Sequence, residues 1–262
     1  MVKNTNLDQR IRDLVNKFDP ITLQEMSGIK LMNRTDTKFV TNKSHLVRLL
    51  EMAQDKYYSQ WKNDSMIAEY ITTYWDTDDL RFYFEHHNGR APRQKVRVRT
   101  YVGSDLTFLE VKTKNNHGRT KKKRIEVPGQ EIEEVRNEAD EFINPLVHST
   151  LKDIHPTLQN HFNRITLVNK AKTERLTIDF DVQFHNFETN EDIGTGDLVI
   201  IELKRDGNVF SPVLEMLRKL RIKPSGFSKY CIGSVMTNNE LKHNMFMEKM
   251  VWINKLVNRK LK

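Results

Sequence analysis

Cysteine occurs once in these 262 residues, at Cys231. That excludes an internal disulfide and fits a reducing compartment. No run of about 18 apolar residues exists, so no segment is expected to span a bilayer. The opening residues, MVKNTNLDQRIRDLVNKF, lack the apolar stretch of a secretory signal, and a cytoplasmic location is expected. Several common chemistries are missing too: there is no Gly-Lys-Ser or Gly-Lys-Thr phosphate loop, no His-Glu-x-x-His, and no Cys/His zinc spacing. Nothing repeats, and no stretch is low in complexity.

What is present is charge on a foldable background. The chain is 37% hydrophobic and 30% charged, with three Trp, seven Tyr and thirteen Phe. That supplies a buried core and suits one large β-rich unit, so residues 1–262 read as a single domain. The formal charge of +8 points to an anionic partner without choosing among nucleic acid, membrane surface and phosphorylated metabolite.

Residues 7–31 read as helical, with Thr22 to Glu25 spelling a capping box for a second helix. A strand over 34–41 and a helix over 43–57, with Ser44 as cap, follow. From residue 70 the period changes to two. EYITTYWDT, RFYFEHH, RQKVRVRTY, LTFLEVKTK and RTKKKRIEV read as strands, separated by turns too short for anything but antiparallel hairpins. A helical insertion (131 to about 160) precedes three more strands, HFNRITLVNKA, RLTIDFDVQF and DLVIIELKR. Ser211-Pro212 opens a helix to about 221, and a basic amphipathic helix occupies about 238–260. The fold class is α+β: a large antiparallel sheet or barrel with helices outside it.

Charge recurs along these strands at period two. In RQKVRVRTY, Arg93, Lys95, Arg97 and Arg99 share one face, about 6.5 Å apart. Glu110, Lys112 and Lys114 share a face of the next strand, and Arg164 with Lys170, Arg175 with Asp179 and Asp181, and Glu202 with Lys204 follow the same rule. A solvated sheet face would spell this way in any one strand. Across the set, Arg and Lys dominate where Thr, Ser and Gln are usual. If helices cover the apolar face, the cations turn inward, and burying them without an anion costs several kcal/mol each. Arg forks and Lys point charges suit phosphate. Carboxylates on the same face suit Mg2+ or Mn2+ held jointly with phosphates.

RTDTKF (34–39), RQKVRVRTY, FLEVKTK, KKKR (121–124), FNR (162–164), RLTIDFDV (175–182), VIIELK (199–204) and GFSKY (226–230) occur in the order found in the VTC domain. The chain thus resembles, over about 20–237, the polyphosphate polymerase branch of the triphosphate tunnel metalloenzymes. The resemblance implies an eight-stranded antiparallel tunnel closed by a C-terminal helix. It implies transfer of the ATP γ-phosphate to inorganic polyphosphate with Mn2+ or Mg2+. Lys38, Arg97, Arg99, Lys112, Ser228 and Lys229 match the catalytic set, and Arg34, Arg164, Arg175 and either Lys122 or a neighbouring lysine of the run match further phosphate contacts; Glu202 matches the metal ligand. Arg93, Lys95, Lys114 and Lys204 join the phosphate contacts and Glu110 the metal ligands by sharing those faces. Arg93 and Lys95 are expected towards a tunnel mouth. One departure is Gly226, where yeast-type members carry a lysine; either Lys223 substitutes from a different angle or one phosphate contact is missing. The membrane-anchored and inositol-phosphate-sensing modules of the eukaryotic complex are absent from the sequence, which looks like the short bacterial type. A hydrolase of triphosphate or short polyphosphate on the same fold, or a non-catalytic polyphosphate- or RNA-binding module, are the alternatives. No specific nucleic-acid site is expected. KKKR alone reads as basic surface, Tyr70, Tyr74, Trp75, Phe82 and Tyr83 as core, the histidines as surface, and Cys231 as packing.

Overall fold

The alternating segments assemble into one sheet. The computed structural model describes residues 2–27, 34–104, 106–131, 136–207 and 209–257. In chain order the elements are α1 (Val2–Val15), β1 (Asp19–Ile21), α2 (Leu23–Ser27), β2 (Arg34–Asn42), α3 (Lys43–Ala53), β3 (Tyr57–Gln60) and β4 (Ile67–Asp76). Then come α4 (Arg81–His87), β5 (Arg93–Tyr101), β6 (Leu106–Lys114), β7 (Thr120–Val127), α5 (Arg136–Ile143), β8 (His155–Asn169) and β9 (Glu174–Asn186). The last are β10 (Asp192–Gly194), β11 (Leu198–Asp206), α6 (Pro212–Lys219), α7 (Lys229–Thr237) and α8 (Met247–Leu256).

Eight strands run in the order β2-β11-β9-β8-β4-β5-β6-β7, every neighbouring pair antiparallel. These eight match the number and sense that the resemblance implies, and β1, β3 and β10 pair off this path to make the sheet eleven-stranded. Closure does not match: among the described residues β2 and β7 do not pair, so the sheet is not a hydrogen-bonded barrel. The free edge of β2 is instead taken by the chain before α7, where Ser225 N donates to Lys38 O at 2.8 Å and Phe39 bridges Pro224. The β7 edge is exposed and carries Lys121 and Lys123, which discourage pairing with another strand.

The two faces differ as the parity requires. Phe39, Ile165, Leu167, Leu176, Ile178, Val199, Ile201 and Leu203 point outward under α1, α3 and α6, while Val96, Val98, Leu109 and Val111 lie under α5. The opposite face carries the cations, and α7 packs against its apolar end, formed by Val40, Tyr70, Tyr74, Leu158, Phe162 and Ile200. A nine-residue helix is marginal alone. Tyr230, Ile232, Val235 and Met236 are buried along it, each worth about 1.5–3 kcal/mol. Gly233 permits the close approach: a Cβ there would stand 2.5 Å from Phe184 and 2.7 Å from Leu158. A bulge at Asp181 (φ 53°) in β9 turns Val182 and Phe184 to this face, whereas Phe180 still points to the outer core.

Several local expectations change. RFYFEHH is helix α4, not a strand, because the Asp76 carboxylate accepts the amides of Phe82 and Tyr83 at 2.8 and 2.9 Å and nucleates a turn. The cap of α3 is Asn42, whose side chain accepts from His45 N at 3.0 Å; Ser44 only donates to it. Within 7–31, β1 interrupts the expected helix by pairing in parallel with β3, and 28–31 lie outside the described residues. The Thr22–Glu25 capping box forms, with Thr22 N to Glu25 Oε2 at 2.8 Å. In the insertion, α5 covers only 136–143 and β8 already begins at His155; 132–135 lie outside the described residues. The C-terminal helix is limited to α8, with Met250 and Ile253 in the α7 cluster, and 258–262 lie outside the described residues. No described helix is long and apolar enough to cross a membrane.

Candidate phosphate site

Strand register brings the predicted cations together. Arg97 lies opposite Glu110 across β5 and β6, Lys112 opposite Lys122 across β6 and β7, and Glu202 opposite Lys38 across β11 and β2. All share the inner face. Glu110 is fully buried, with Arg97 Nη2 at 2.6 Å from Oε2 and Lys122 Nζ at 2.8 Å from Oε1. The partner within KKKR is therefore Lys122, while Arg124 stacks over Phe108 at 4.1 Å. Asp179 receives Arg164 through Nε at 2.5 Å and Nη2 at 2.8 Å, and also Lys229 from the first turn of α7. Arg99 donates to Thr72 Oγ1 at 3.0 Å and lies over the Tyr70 ring.

The N-terminus of α7 faces this cluster. Ser228 caps it, accepting from Cys231 N at 3.2 Å, and receives Lys95 Nζ at 2.7 Å. Lys38 Nζ reaches Phe227 O at 2.8 Å. Lys95 thus sits at the closing helix rather than at a mouth, whereas Arg93 donates to Arg90 O at 3.3 Å. Arg175 donates to Met26 O at 3.3 Å, towards the end covered by α2. Lys114 ends β6, and Arg34 opens β2 with its side chain outside the described residues. Lys223 lines a groove beside α6 with Phe39 and Leu217.

The cations are under-compensated. Burial, with Arg97 and Lys38 beside it, pushes the Lys112 ammonium down to about 8. Lys229 is also pushed down to about 8, by burial and then Arg164, despite Asp179. Burial, Arg97 and Arg164 bring Arg99 down to about 10. Burial alone would raise the Tyr74 phenol, but Arg97, Arg99, Lys229 and Lys95 bring it down to about 8. A tyrosine read as core is therefore part of the site's electrostatics. His86, read as surface, lies in the same field: burial first, then Lys95, Arg93 and Lys38, hold it far below its usual range. Both were masked by the mistaken strand at 81–87 and by the aromatic spelling of β4.

Among the carboxylates, Glu110 and Asp179 have both oxygens committed to cations. Among the described residues Glu202 has one ion pair, to Lys204 Nζ at 3.2 Å. Its burial would raise it, but Lys204, Lys38 and Lys112 hold it down to about 2, so it stays ionised. No trio of His, Cys, Asp or Glu among the described residues forms a ready metal cage. That donor set fits a hard divalent cation held by one carboxylate and completed by phosphate oxygens. Glu202 is suited to hold it; Glu110, expected as a second ligand, is an ion-pair centre.

The model of the VTC domain matches residues 33–238. The chain belongs to the VTC-domain family. No curated protein matches it in sequence. Among solved structures, this VTC chain is similar to HpAC1 of Hippeastrum, described as revealing a dominant triphosphatase activity, at 15% identity over 81% of this chain and 100% of that one, TM-score 0.50. It is also similar to a Pyrococcus horikoshii protein (13% identity, 72% and 91% covered, TM-score 0.42) and to an S. pombe RNA triphosphatase (8%, 95% and 91%, TM-score 0.30). The first likeness places the VTC chain in the triphosphate tunnel fold.

Proposed function

We propose that the chain is a divalent-metal-dependent polyphosphate polymerase that transfers the γ-phosphate of ATP to a growing inorganic polyphosphate. The observation that carries this reading is the under-compensated inner face: burial first, and then neighbouring cations, hold Lys112, Lys229 and Arg99 low where an anion would raise them. A phosphate chain running between β5, β6, β11 and the start of α7 would supply that anion to every one of them.

Phosphoryl transfer asks mainly for positioning and charge neutralisation. The attacking group would be a terminal phosphate oxygen of the polymer, already anionic, so no general base is required. It forms a bond to the γ-phosphorus as the bond from γ-phosphorus to the β,γ-bridging oxygen breaks, and ADP leaves with that electron pair. Arg97 and Lys112 hold the equatorial oxygens, and Lys229 and the α7 amides neutralise charge at the helix start. Glu202 would hold a divalent metal, which would supply Lewis-acid charge to the phosphates.

The test is product analysis. Purified protein with ATP and Mn2+ should yield a polymer that grows with time on a gel, and Lys229→Ala should lose it. Orthophosphate release with no polymer would make the acceptor water and the enzyme a triphosphatase. That second reading is favoured by the activity described for the Hippeastrum neighbour.

A further inference from the structure

Helix α8 lies beyond the residues matched by the family model, yet it is docked on the phosphate site. Met250 and Ile253 are buried in the cluster that holds α7. At its C-terminal end Leu256 O accepts Asn42 Nδ2 at 3.2 Å, which ties it to the end of β2. From the face between these anchors Lys249 extends towards the chain entering α7. Its ammonium donates to Gly226 O and stands 3.7 Å from where a Gly226 Cβ would be. The adjacent carbonyl, Phe227 O, holds Lys38 in the same way. Two lysines, one from β2 and one from α8, are thus parked on consecutive carbonyls at the threshold of α7.

We infer that Lys249 is a phosphate-binding residue, and that α8 is a working wall of the substrate site rather than packing at its rim. A lysine whose job were structural would be expected to pair with a carboxylate, and among the described residues Lys249 has no such partner. Its surroundings disfavour its charge: burial and then Lys38 push the ammonium down. A neutral carbonyl satisfies one donor and leaves the net charge uncompensated. A phosphate spanning Lys38 and Lys249 would meet both charges at once. This placement rests on the reading of the inner face as a phosphate-chain site and extends that site past Lys38 by one cation.

The test is calorimetric binding of inorganic tripolyphosphate to the full chain and to Lys249→Gln and Lys249→Arg, at several salt concentrations. Glutamine keeps a donor for Gly226 O but removes the charge; arginine keeps the charge. Lys249→Gln should bind about tenfold more weakly, with a dependence of log affinity on log salt shallower by about one contact. Lys249→Arg should stay within about threefold of the parent. Equal affinity and equal salt slope for Lys249→Gln and the parent would overturn the inference alone. Failure of the parent to bind tripolyphosphate would overturn the underlying reading as well.

Discussion

Replacing Glu202 with glutamine should cut turnover of ATP by about a hundredfold or more, while leaving metal-free polyphosphate affinity unchanged or raised. The two effects have opposite signs because the carboxylate has two relations to the site. Towards a divalent cation it is an inner-face acid less committed than Glu110 or Asp179, since among the described residues its ion pair is one contact with Lys204 at 3.2 Å. Towards phosphate it is a like charge beside Lys38 and Lys112 that repels what they attract. Removing it strips the metal's protein anchor and relieves that repulsion. Turnover should recover in part at high Mn2+, with the half-saturating metal concentration displaced upward. Steady-state assays across metal concentration, paired with metal-free binding, check both halves. A variant that keeps full turnover at unchanged metal demand would remove Glu202 from the site. A parent that binds polyphosphate but turns over no ATP under any metal would leave the chain a binding module.

The second large effect concerns stability. Glu110→Leu should destabilise the protein by about 3–5 kcal/mol, the range for breaking a buried ion pair from one side. Glu110 is fully buried and neutralises two cations, Arg97 and Lys122, in a strand pair that also carries Arg99 and Lys112. Leucine fills a similar volume but leaves Arg97 and its neighbours without a counter-charge. The signature of that origin is rescue: polyphosphate should restore much of the loss, because it supplies the missing negative charge and binds the folded state only. Urea unfolding with and without polyphosphate measures both. A loss under about 1 kcal/mol would mean that solvent already screens the pair.

Much of this was legible in the sequence because β-strand parity is a rigid code. Once RQKVRVRTY is a strand, Lys95, Arg97 and Arg99 must share a face, and register then sets Arg97 against Glu110. The ordered segments matching the VTC domain located Glu202 and the start of α7 as well. What was not legible depended on contacts distant in sequence. The strand reading of RFYFEHH followed its aromatic spelling, but Asp76 captures the amides of Phe82 and Tyr83 and makes a helix. With that turn unseen, His86 could not be placed among Lys95, Arg93 and Lys38. Open edges were equally hidden, since nothing local in RTDTKF says that Ser225, rather than β7, pairs with it. Parity gives the face of the Glu110 side chain and not its partners, so the sequence alone does not separate a metal ligand from the ion-pair centre it forms with Arg97 and Lys122.

A phosphate chain lying among Lys112, Lys229 and the arginines of β5 and β8 should draw protons from solution as it binds. In the free protein Lys112 and Lys229 are both pushed down to about 8. An adjacent phosphate favours the charged ammonium, so each is raised in the complex. Between the free and bound values the complex holds more protons than the free protein. Affinity must then fall as pH rises through about 8, by up to about tenfold per pH unit for each lysine involved. Long-chain polyphosphate is the right probe, because its interior phosphates keep one charge each throughout this range. Calorimetry at about pH 8.5 in two buffers of different ionisation enthalpy should report net proton uptake by the complex. Tight binding with no proton uptake and a flat pH profile would place the phosphate elsewhere, on the exposed lysines of β7, and contradict the account.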